Sequence, residues 1–384
     1  MKAYKLRLYP NKEQIEKLEF TLDTCRQAYN ILLEELNEQI ITDRNMIQAI
    51  LPDLKICEPR FKEVYSKTLQ YECYRLFSNL SALSALKRNG RKVGRLRFKG
   101  KEWFKTINYN QSGFSLDSEN KKLKLSKIGN IKIKLHREVE GNIKQITIKK
   151  SIDKWFVTII TDAVIKTKCG DKVVGIDLGI NKFIVDSENN VINSSFNYTK
   201  NFSKLRKAHK NLSRKKKGSK NRLKSKKRLS KIYEKINNSR NDFLHKTSTN
   251  LIRKSKILVV EKLNIKSMME QKYFNAKNIA DSSWGKFLEL LTYKAESAGC
   301  KLIKVNPKNT SKMCSKCSSI QDMPLWGRTY KCKNCGLVID RDHNAAKNIL
   351  KLGQELSYVE NDSSAQQESS MKQEAITSTS LDVR

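Results

Sequence analysis

The chain has 384 residues, with 77 lysines and arginines against 39 acids and a formal charge of +38. That length accommodates two or three domains and at least one sizeable core, and the charge points first to a polyanion held through counterion release at phosphates. No apolar run approaches the roughly 20 residues that a membrane-spanning helix needs, and Met1-Lys2-Ala3-Tyr4-Lys5-Leu6 lacks the apolar core of a secretory signal; the expectation is a cytoplasmic protein with no membrane partner.

Residues 3–9 alternate, with Tyr4, Leu6 and Leu8 on one face and Lys5 and Arg7 on the other, which predicts a half-buried strand. Pro10-Asn11 ends it, and Asn11 with Gln14 forms a candidate capping box. Ile15, Leu18, Leu22, Cys25, Tyr29 and Leu32 then recur at helical spacing, and Leu69, Cys73, Leu76, Leu80 and Leu83 predict a second helix stopping near Gly90. From Val93 to about Ile165 the period becomes two. Leu96/Phe98, Leu123/Leu125, Ile131/Ile133/Leu135, Ile146/Ile148 and Phe156–Ile160 read as short strands between Gly, Asn and Asp turns. Residues 1–172 are therefore expected to form a small β-barrel with a helical insertion at about 11–92. Its interleaved Lys, Arg and aromatic residues suit nucleic-acid binding.

Val173-Val174-Gly175-Ile176 is a continuous apolar run ending in Asp177, and Ile257-Leu258-Val259-Val260 is another ending in Glu261. Such runs mark strands buried on both faces, typically parallel ones. If the two strands are neighbours, their terminal carboxylates lie roughly 5 Å apart, a separation suited to bridging two divalent ions about 3.5–4 Å apart. Between the runs, residues 200–231 hold 16 Lys or Arg and no acid. Leu205, Leu212, Leu223, Leu229, Ile232, Tyr233, Ile236 and Phe243 keep a helical stripe beneath this charge, so the segment reads as a helical pair whose basic outer face follows a phosphate backbone.

Cys314-x-x-Cys317 and Cys332-x-x-Cys335 have the spacing of a four-cysteine zinc ribbon, spanning about 308–338. Four thiolates leave no open coordination position, so the zinc is expected to be structural. Met323 to Lys331 is the expected connecting hairpin. The other cysteines (Cys25, Cys57, Cys73, Cys169 and Cys300) are scattered and read as ordinary thiols in a reducing compartment. After the ribbon, Ala345, Ala346, Ile349 and Leu350 share one helical face, with Asp342 in the first turn and Asp340 competing for the same role. Taken singly, Asp177 can be a turn residue, Glu261 a strand-end charge and Asp342 an N-cap. His343 can face a phosphate or sit on the helix surface. The other histidines (His136, His209 and His245) do not cluster with it in sequence. Residues 353–384, with six acids against two bases in 354–384, read as a disordered polar tail, so residues 1–353 carry +42.

Gly175-Ile176-Asp177-Leu178-Gly179, Val259-Val260-Glu261-Lys262-Leu263 and Asp340-Arg341-Asp342-His343-Asn344-Ala345-Ala346 resemble the three motifs of the RuvC-like nuclease in TnpB proteins of bacterial and archaeal insertion sequences. Asn306-Pro307-Lys308-Asn309-Thr310-Ser311 and Tyr4-Lys5-Leu6-Arg7-Leu8-Tyr9-Pro10-Asn11 also look like that family, which is related to type V CRISPR effectors. The resemblance covers residues 1 to about 352. It implies an α+β, multidomain protein in which an RNase H-like nuclease domain at 173–352 carries the inserted ribbon. It further implies a prokaryotic, nucleoid-associated, RNA-guided endonuclease. A guide RNA from the transposon end would pair with one strand of double-stranded target DNA, while the protein read a short adjoining motif and gripped the duplex by shape. Asp177, Glu261 and Asp342 would be the catalytic acids and would hold two magnesium ions, with Asp342 in the Asp-x-Asn-Ala-Ala position. A transposase using the same acids, or a non-cleaving nucleic-acid-binding accessory protein, remains the alternative.

Overall fold

The alternation of the first strand is realised as β1 (Lys2–Tyr9), with Tyr4, Leu6 and Leu8 buried. Asn11 Oδ1 then accepts from Gln14 N at 2.8 Å while Gln14 Oε1 accepts from Asn11 N at 3.0 Å, closing the capping box that starts α1 (Lys12–Glu38). The computed structural model describes residues 1–38, 43–101, 103–164, 168–194, 198–270, 279, 282–324 and 327–356. The chain divides into two compact units, Met1–Ile165 and Lys166–Arg384, a few residues ahead of the boundary expected at 172.

In the first unit, α1 is followed by α2 (Arg44–Cys57) and α3 (Ser66–Arg88). The sequence reading contained no α2. Asp43 caps it by accepting from Asn45 N, and Ile47 and Leu51 bury its inner face. The strands are β2 (Thr106–Asn110), β3 (Phe114–Asp117), β4 (Lys122–Leu125), β5 (Gly129–Lys134), β6 (Ile143–Ser151) and β7 (Lys154–Thr161). With β1 they form one sheet in the order β2-β6-β7-β1-β5-β4-β3, each pairing antiparallel. Only Gln111–Gly113 separates the two edge strands β2 and β3. Laid flat, seven strands would hold those edges about 29 Å apart, yet the short link spans at most about 15 Å. The sheet must curl. Its concave side and the inner faces of α1, α2 and α3 share one core, including Leu18, Tyr29, Leu69, Ile107, Ile131 and Ile148.

The strand expected at Leu96/Phe98 is absent: residues 91–100 have no regular structure and Phe98 is exposed. The backbone there is tied to a helix instead, because Lys99 N donates to Asn30 Oδ1 at 2.7 Å and Lys99 O accepts from Asn30 Nδ2 at 3.2 Å.

The second unit is built on β8 (Lys172–Asp177), β9 (Lys182–Asp186), β10 (Val191–Asn193), β11 (Ser255–Glu261) and β12 (Lys301–Val305), in the order β10-β9-β8-β11-β12. β8, β11 and β12 are parallel, whereas β9 and β10 are antiparallel additions. Between β10 and β11 run α4 (Tyr198–Ser213) and α5 (Lys220–Lys254); between β11 and β12 lie α6 (Ile265–Glu270) and α7 (Trp284–Ala298). Val174, Ile176, Leu258 and Val260 face α5 and α7 in a core with Leu244, Leu251, Ile252, Phe287 and Leu291. After β12 come the ribbon strands β13 (Thr329–Lys331) and β14 (Val338–Asp340), then α8 (residues 341–356). α8 covers the other sheet face, where Val259, Ile303, Val305 and Ile349 cluster.

Residues 353–356, expected to begin a disordered tail, continue α8, and Gly353 is buried against Val259. The rest of the expected tail lies outside the described residues. Leu223 and Tyr233 belong to the apolar stripe expected under the basic helices, but both are largely exposed, and the α4–α5 contact is made by Leu205, Ala208, Leu212, Leu229, Ile232 and Ile236.

Candidate active site

β8 and β11 are parallel neighbours, with Val260 opposite Ile176. The next residues along the two strands are Glu261 and Asp177, so the condition set by the sequence is met and both carboxylates stand at the same end of adjacent strands. They also share the sheet face covered by α8, since side chains two apart point the same way. Burial first, and then the charges of Glu261 and Asp342, push the Asp177 carboxyl up to about 8 against the opposing Arg341 guanidinium and Leu178 N–H. Burial also raises Glu261, while a hydrogen bond from Thr310 resists that rise. The third acid, Asp342, thus lies within electrostatic reach of Asp177.

What brings Asp342 there is a close approach of helix to sheet. A methyl group at Gly175 would fall 2.4 Å from Ala346 O and 2.7 Å from Leu350 N. Farther along α8, a methyl at Gly353 would fall 2.4 Å from Val259 Cγ1 on the next strand. With both positions reduced to hydrogen, α8 seats Ala345, Ala346 and Ile349 on the sheet, each at most 1% exposed. Burying Ile349 alone contributes about 2–3 kcal/mol. The anchored helix then aims its first turn at the strand ends.

Asp340 and Asp342 take different parts. Asp340 Oδ1 accepts from Asp342 N at 3.0 Å and His343 N at 3.2 Å, the pattern of a helix N-cap. Its Oδ2 accepts from Lys182 Nζ at 2.8 Å. Burial works against ionisation, but the Lys182 and backbone N–H bonds outweigh it and hold Asp340 below the usual carboxylate range. Asp342 is left inside the site, with Arg328 Nη1 3.9 Å from its Oδ1. His343 is half-buried, and its Nε2 lies 3.2 Å from the Ser187 carbonyl, between α8 and the β9–β10 turn.

The four cysteines of the ribbon do come together. The Sγ atoms of Cys314, Cys317, Cys332 and Cys335 all lie within 4.8 Å of one another, and the Cys314–Cys335 and Cys317–Cys332 pairs are 3.6 Å apart. Tetrahedral zinc with bonds of about 2.3 Å needs sulfurs about 3.8 Å apart, so the cluster fits that ion. Each pair sits on a tight knuckle: Ser318 N donates to Cys314 O at 2.9 Å and Gly336 N to Cys332 O at 3.1 Å. The hairpin differs from the expected one. β13 and β14 flank the second cysteine pair, and of the described residues from Met323 to Lys331 only Thr329–Lys331 belong to a strand. Of the scattered thiols, Cys25, Cys73 and Cys300 are buried, Cys169 is intermediate and Cys57 is exposed.

Three residues to which the sequence assigned no role bind this cluster to the carboxylates. Thr310 Oγ1 donates to Glu261 Oε1 at 2.5 Å. Asn348 Nδ2 donates to Thr310 O at 2.8 Å and Met313 O at 2.6 Å. Asn344 Nδ2 donates to Met313 O at 2.7 Å, and its Oδ1 accepts from Ser315 N at 2.9 Å. All three are at most 2% exposed. The available signal was a pair of amides four residues apart beside an apolar helix stripe, which asks for buried partners.

A second feature lies at the α4–α5 turn. Arg222 Nη1 ties the turn together by donating to Leu212 O and Lys215 O, both at 3.0 Å. Beside it is a cavity of about 330 Å³ lined by Ala208, Asn211, Arg214, Lys215, Ser225 and Arg228. Three cations and two neutral hydrogen-bonding side chains on one concave surface suit a phosphate.

Among known proteins, three family profiles match the chain: "Probable transposase" over residues 154–272, "Cas12f1-like, TNB domain" over 284–349 and "Helix-turn-helix domain" over 1–44. A relative from Streptomyces pristinaespiralis named "Putative RNA-guided DNA endonuclease" is 29% identical over 369 residues, covering 92% of this chain and 89% of its own. A TnpB-like protein of Methanocaldococcus jannaschii is 31% identical over 232 residues, 56% of this chain and 81% of its own. Of solved structures, the Cas12f1–sgRNA–target DNA complex shares the fold, with a TM-score of 0.53 at 17% identity over 88% of this chain and 82% of that one. Joined to the motif-bearing strands, the ribbon and α8, these likenesses make the chain a member of the TnpB family, related to the type V effectors.

Proposed function

We propose that the protein is an RNA-guided DNA endonuclease whose second unit is an RNase H-like, RuvC-type nuclease domain. The observation that carries this reading is the meeting of Asp177, Glu261 and Asp342 at the ends of two parallel strands and the first turn of the helix covering them. The name of the Streptomyces pristinaespiralis relative and the fold shared with the Cas12f1 complex support it. The first unit's curled sheet is read as a barrel-type nucleic-acid-binding module. Lys5 Nζ and the Arg7 guanidinium lie 4.8 and 5.1 Å from the Phe156 ring centre on its outer face, a basic and aromatic surface of the kind that meets nucleic-acid strands.

The donor set is all carboxylate oxygen, the preference of magnesium. Burial and mutual repulsion penalise three adjacent anions, and divalent cations relieve that penalty. Three carboxylates gathered at two strand ends and one helix turn suit two ions about 4 Å apart. When bound, the ions supply the Lewis acidity that activates water and stabilises the departing 3′ oxygen. The chain's own residues do the positioning: β8 and β11 fix Asp177 and Glu261, Asp340 caps α8, and α8 presents Asp342. Backbone phosphates of a guide RNA from the transposon end, or of its DNA duplex, are the proposed occupants of the α4–α5 cavity.

The decisive experiment is Asp177→Ala, with cleavage measured in magnesium and RNA binding measured alongside. We expect cleavage to disappear and RNA binding to persist. Continued cleavage by that variant would remove Asp177 from the site. Product analysis separates the nuclease from a transposase: double-strand ends at a guide-specified position support the nuclease, and covalently joined transposon ends overturn it.

A further inference from the structure

The ribbon's chain enters through the carboxylate site itself. Thr310 precedes the first cysteine by four positions and donates to Glu261 Oε1 at 2.5 Å. The same hydroxyl lies 3.1 Å from Pro307 O, which orients it. Its main chain is fixed from the other side by Asn348, and the following residues by Asn348 and Asn344 through Met313 O and Ser315 N. Both amides belong to α8, the helix that carries Asp342. Thr310, Asn344 and Asn348 are all buried, so these bonds are shielded from competing water. A hydrogen-bonded path therefore runs from the cysteine cluster to Glu261 and to the helix that carries Asp342.

We propose that Thr310 is a positioning residue for Glu261, and that the folded cysteine ribbon holds the carboxylate site in register through Thr310, Asn344 and Asn348. The proposal rests on reading Glu261 as a metal ligand. An ionised carboxylate has two oxygens and several lone pairs. With one oxygen engaged by Thr310, the rotation of the group is restrained. Partners that orient a ligating side chain in this way typically contribute 10- to 100-fold to metal affinity.

The test measures Mn²⁺ binding by electron paramagnetic resonance on the full-length chain, together with its zinc content, for Thr310→Val, Thr310→Ser and Glu261→Gln. Thr310→Val preserves shape but loses the hydroxyl. We expect its Mn²⁺ affinity to fall about tenfold or more with zinc content unchanged, and Thr310→Ser to recover affinity to within about threefold. Wild-type affinity in Thr310→Val overturns the proposal, provided Glu261→Gln weakens binding. If Glu261→Gln binds as well as wild type, it is the assignment of Glu261 that has failed. Should Thr310→Val lose its zinc or its fold, Asn348→Ala decides by the same measurement, with reduced Mn²⁺ affinity expected and unchanged affinity overturning the path.

Discussion

Gly175 is the point where β8 meets the backbone of α8. A Cβ at this position would lie 2.4 Å from Ala346 O, 2.7 Å from Leu350 N and 2.8 Å from Leu350 Cβ. Ordinary contacts begin near 3.4 Å, so Gly175→Ala forces the helix outward by about 1 Å or bends β8. The obstructing atoms are largely backbone, which cannot rotate away. Overpacking of this kind costs about 1–3 kcal/mol, which for a unit of this size lowers its melting temperature by roughly 3–10 °C. The functional loss should be larger than the loss of stability, because Asp342 rides on the displaced helix. A shift of about 1 Å at a catalytic group can cost roughly 100-fold in rate. Calorimetric melting and a guide-dependent cleavage assay on the same preparation measure both effects. A variant that melts within 2 °C of wild type, by the rough scale above, and cleaves at wild-type rate would refute the claim that close helix–sheet contact at Gly175 sets the site.

Cys332→Ser should release zinc, measured by elemental analysis, and lower cleavage with it, because four thiolates complete the cluster and the ribbon anchors Thr310; unchanged zinc content would refute the ligand assignment. In the first unit, Glu72 is fully buried, with Arg75 Nη1 3.2 Å from its Oε2, and burial raises its carboxyl to about 8 despite that cation. Between the unfolded value of about 4.5 and that raised value the native state holds the extra proton, so stability should fall as pH rises across this window; Glu72→Gln should flatten the dependence by on the order of a few kcal/mol in urea titrations at the two ends. Arg214→Ala with Arg228→Ala should weaken nucleic-acid binding and reduce the slope of log affinity against log salt by about one, the signature of a lost phosphate contact; an unchanged slope would leave the cavity without that role.

Sequence patterns reached the parts of this molecule that repeat along the chain. The alternation in β1, the stripe of Leu18, Leu22, Cys25 and Tyr29, and the two apolar runs ending in acids each follow from local periodicity. The paired cysteine spacing worked for a similar reason, since each knuckle is a short-range object. Periodicity failed where the deciding partner was distant. Leu96 and Phe98 sit two apart like strand residues, but Asn30 takes the backbone bonds that a strand neighbour would need. Strand β2 has just two buried apolar residues, Ile107 and Tyr109, too few to stand out from the surrounding polar segment. Helix α2 carries Pro52 in its interior and two fully buried apolar side chains, so its stripe is faint as well.

The candidate site divides along the same line. That Asp177 and Glu261 end apolar runs was legible, but their adjacency depends on the order β10-β9-β8-β11-β12, which no local window contains. Choosing between Asp340 and Asp342 likewise required knowing which one the helix uses for its own N–H groups. Asp340 satisfies two of those groups and pairs with Lys182, so its charge is already committed, whereas Asp342 shares the buried end of the sheet with two other acids. A carboxylate that completes a helix cap lowers the energy of the fold; one that joins two buried like charges raises it. A protein tolerates the second arrangement where a cation is to be held, and that cost is the physical reason for looking to Asp177, Glu261 and Asp342 for the chemistry.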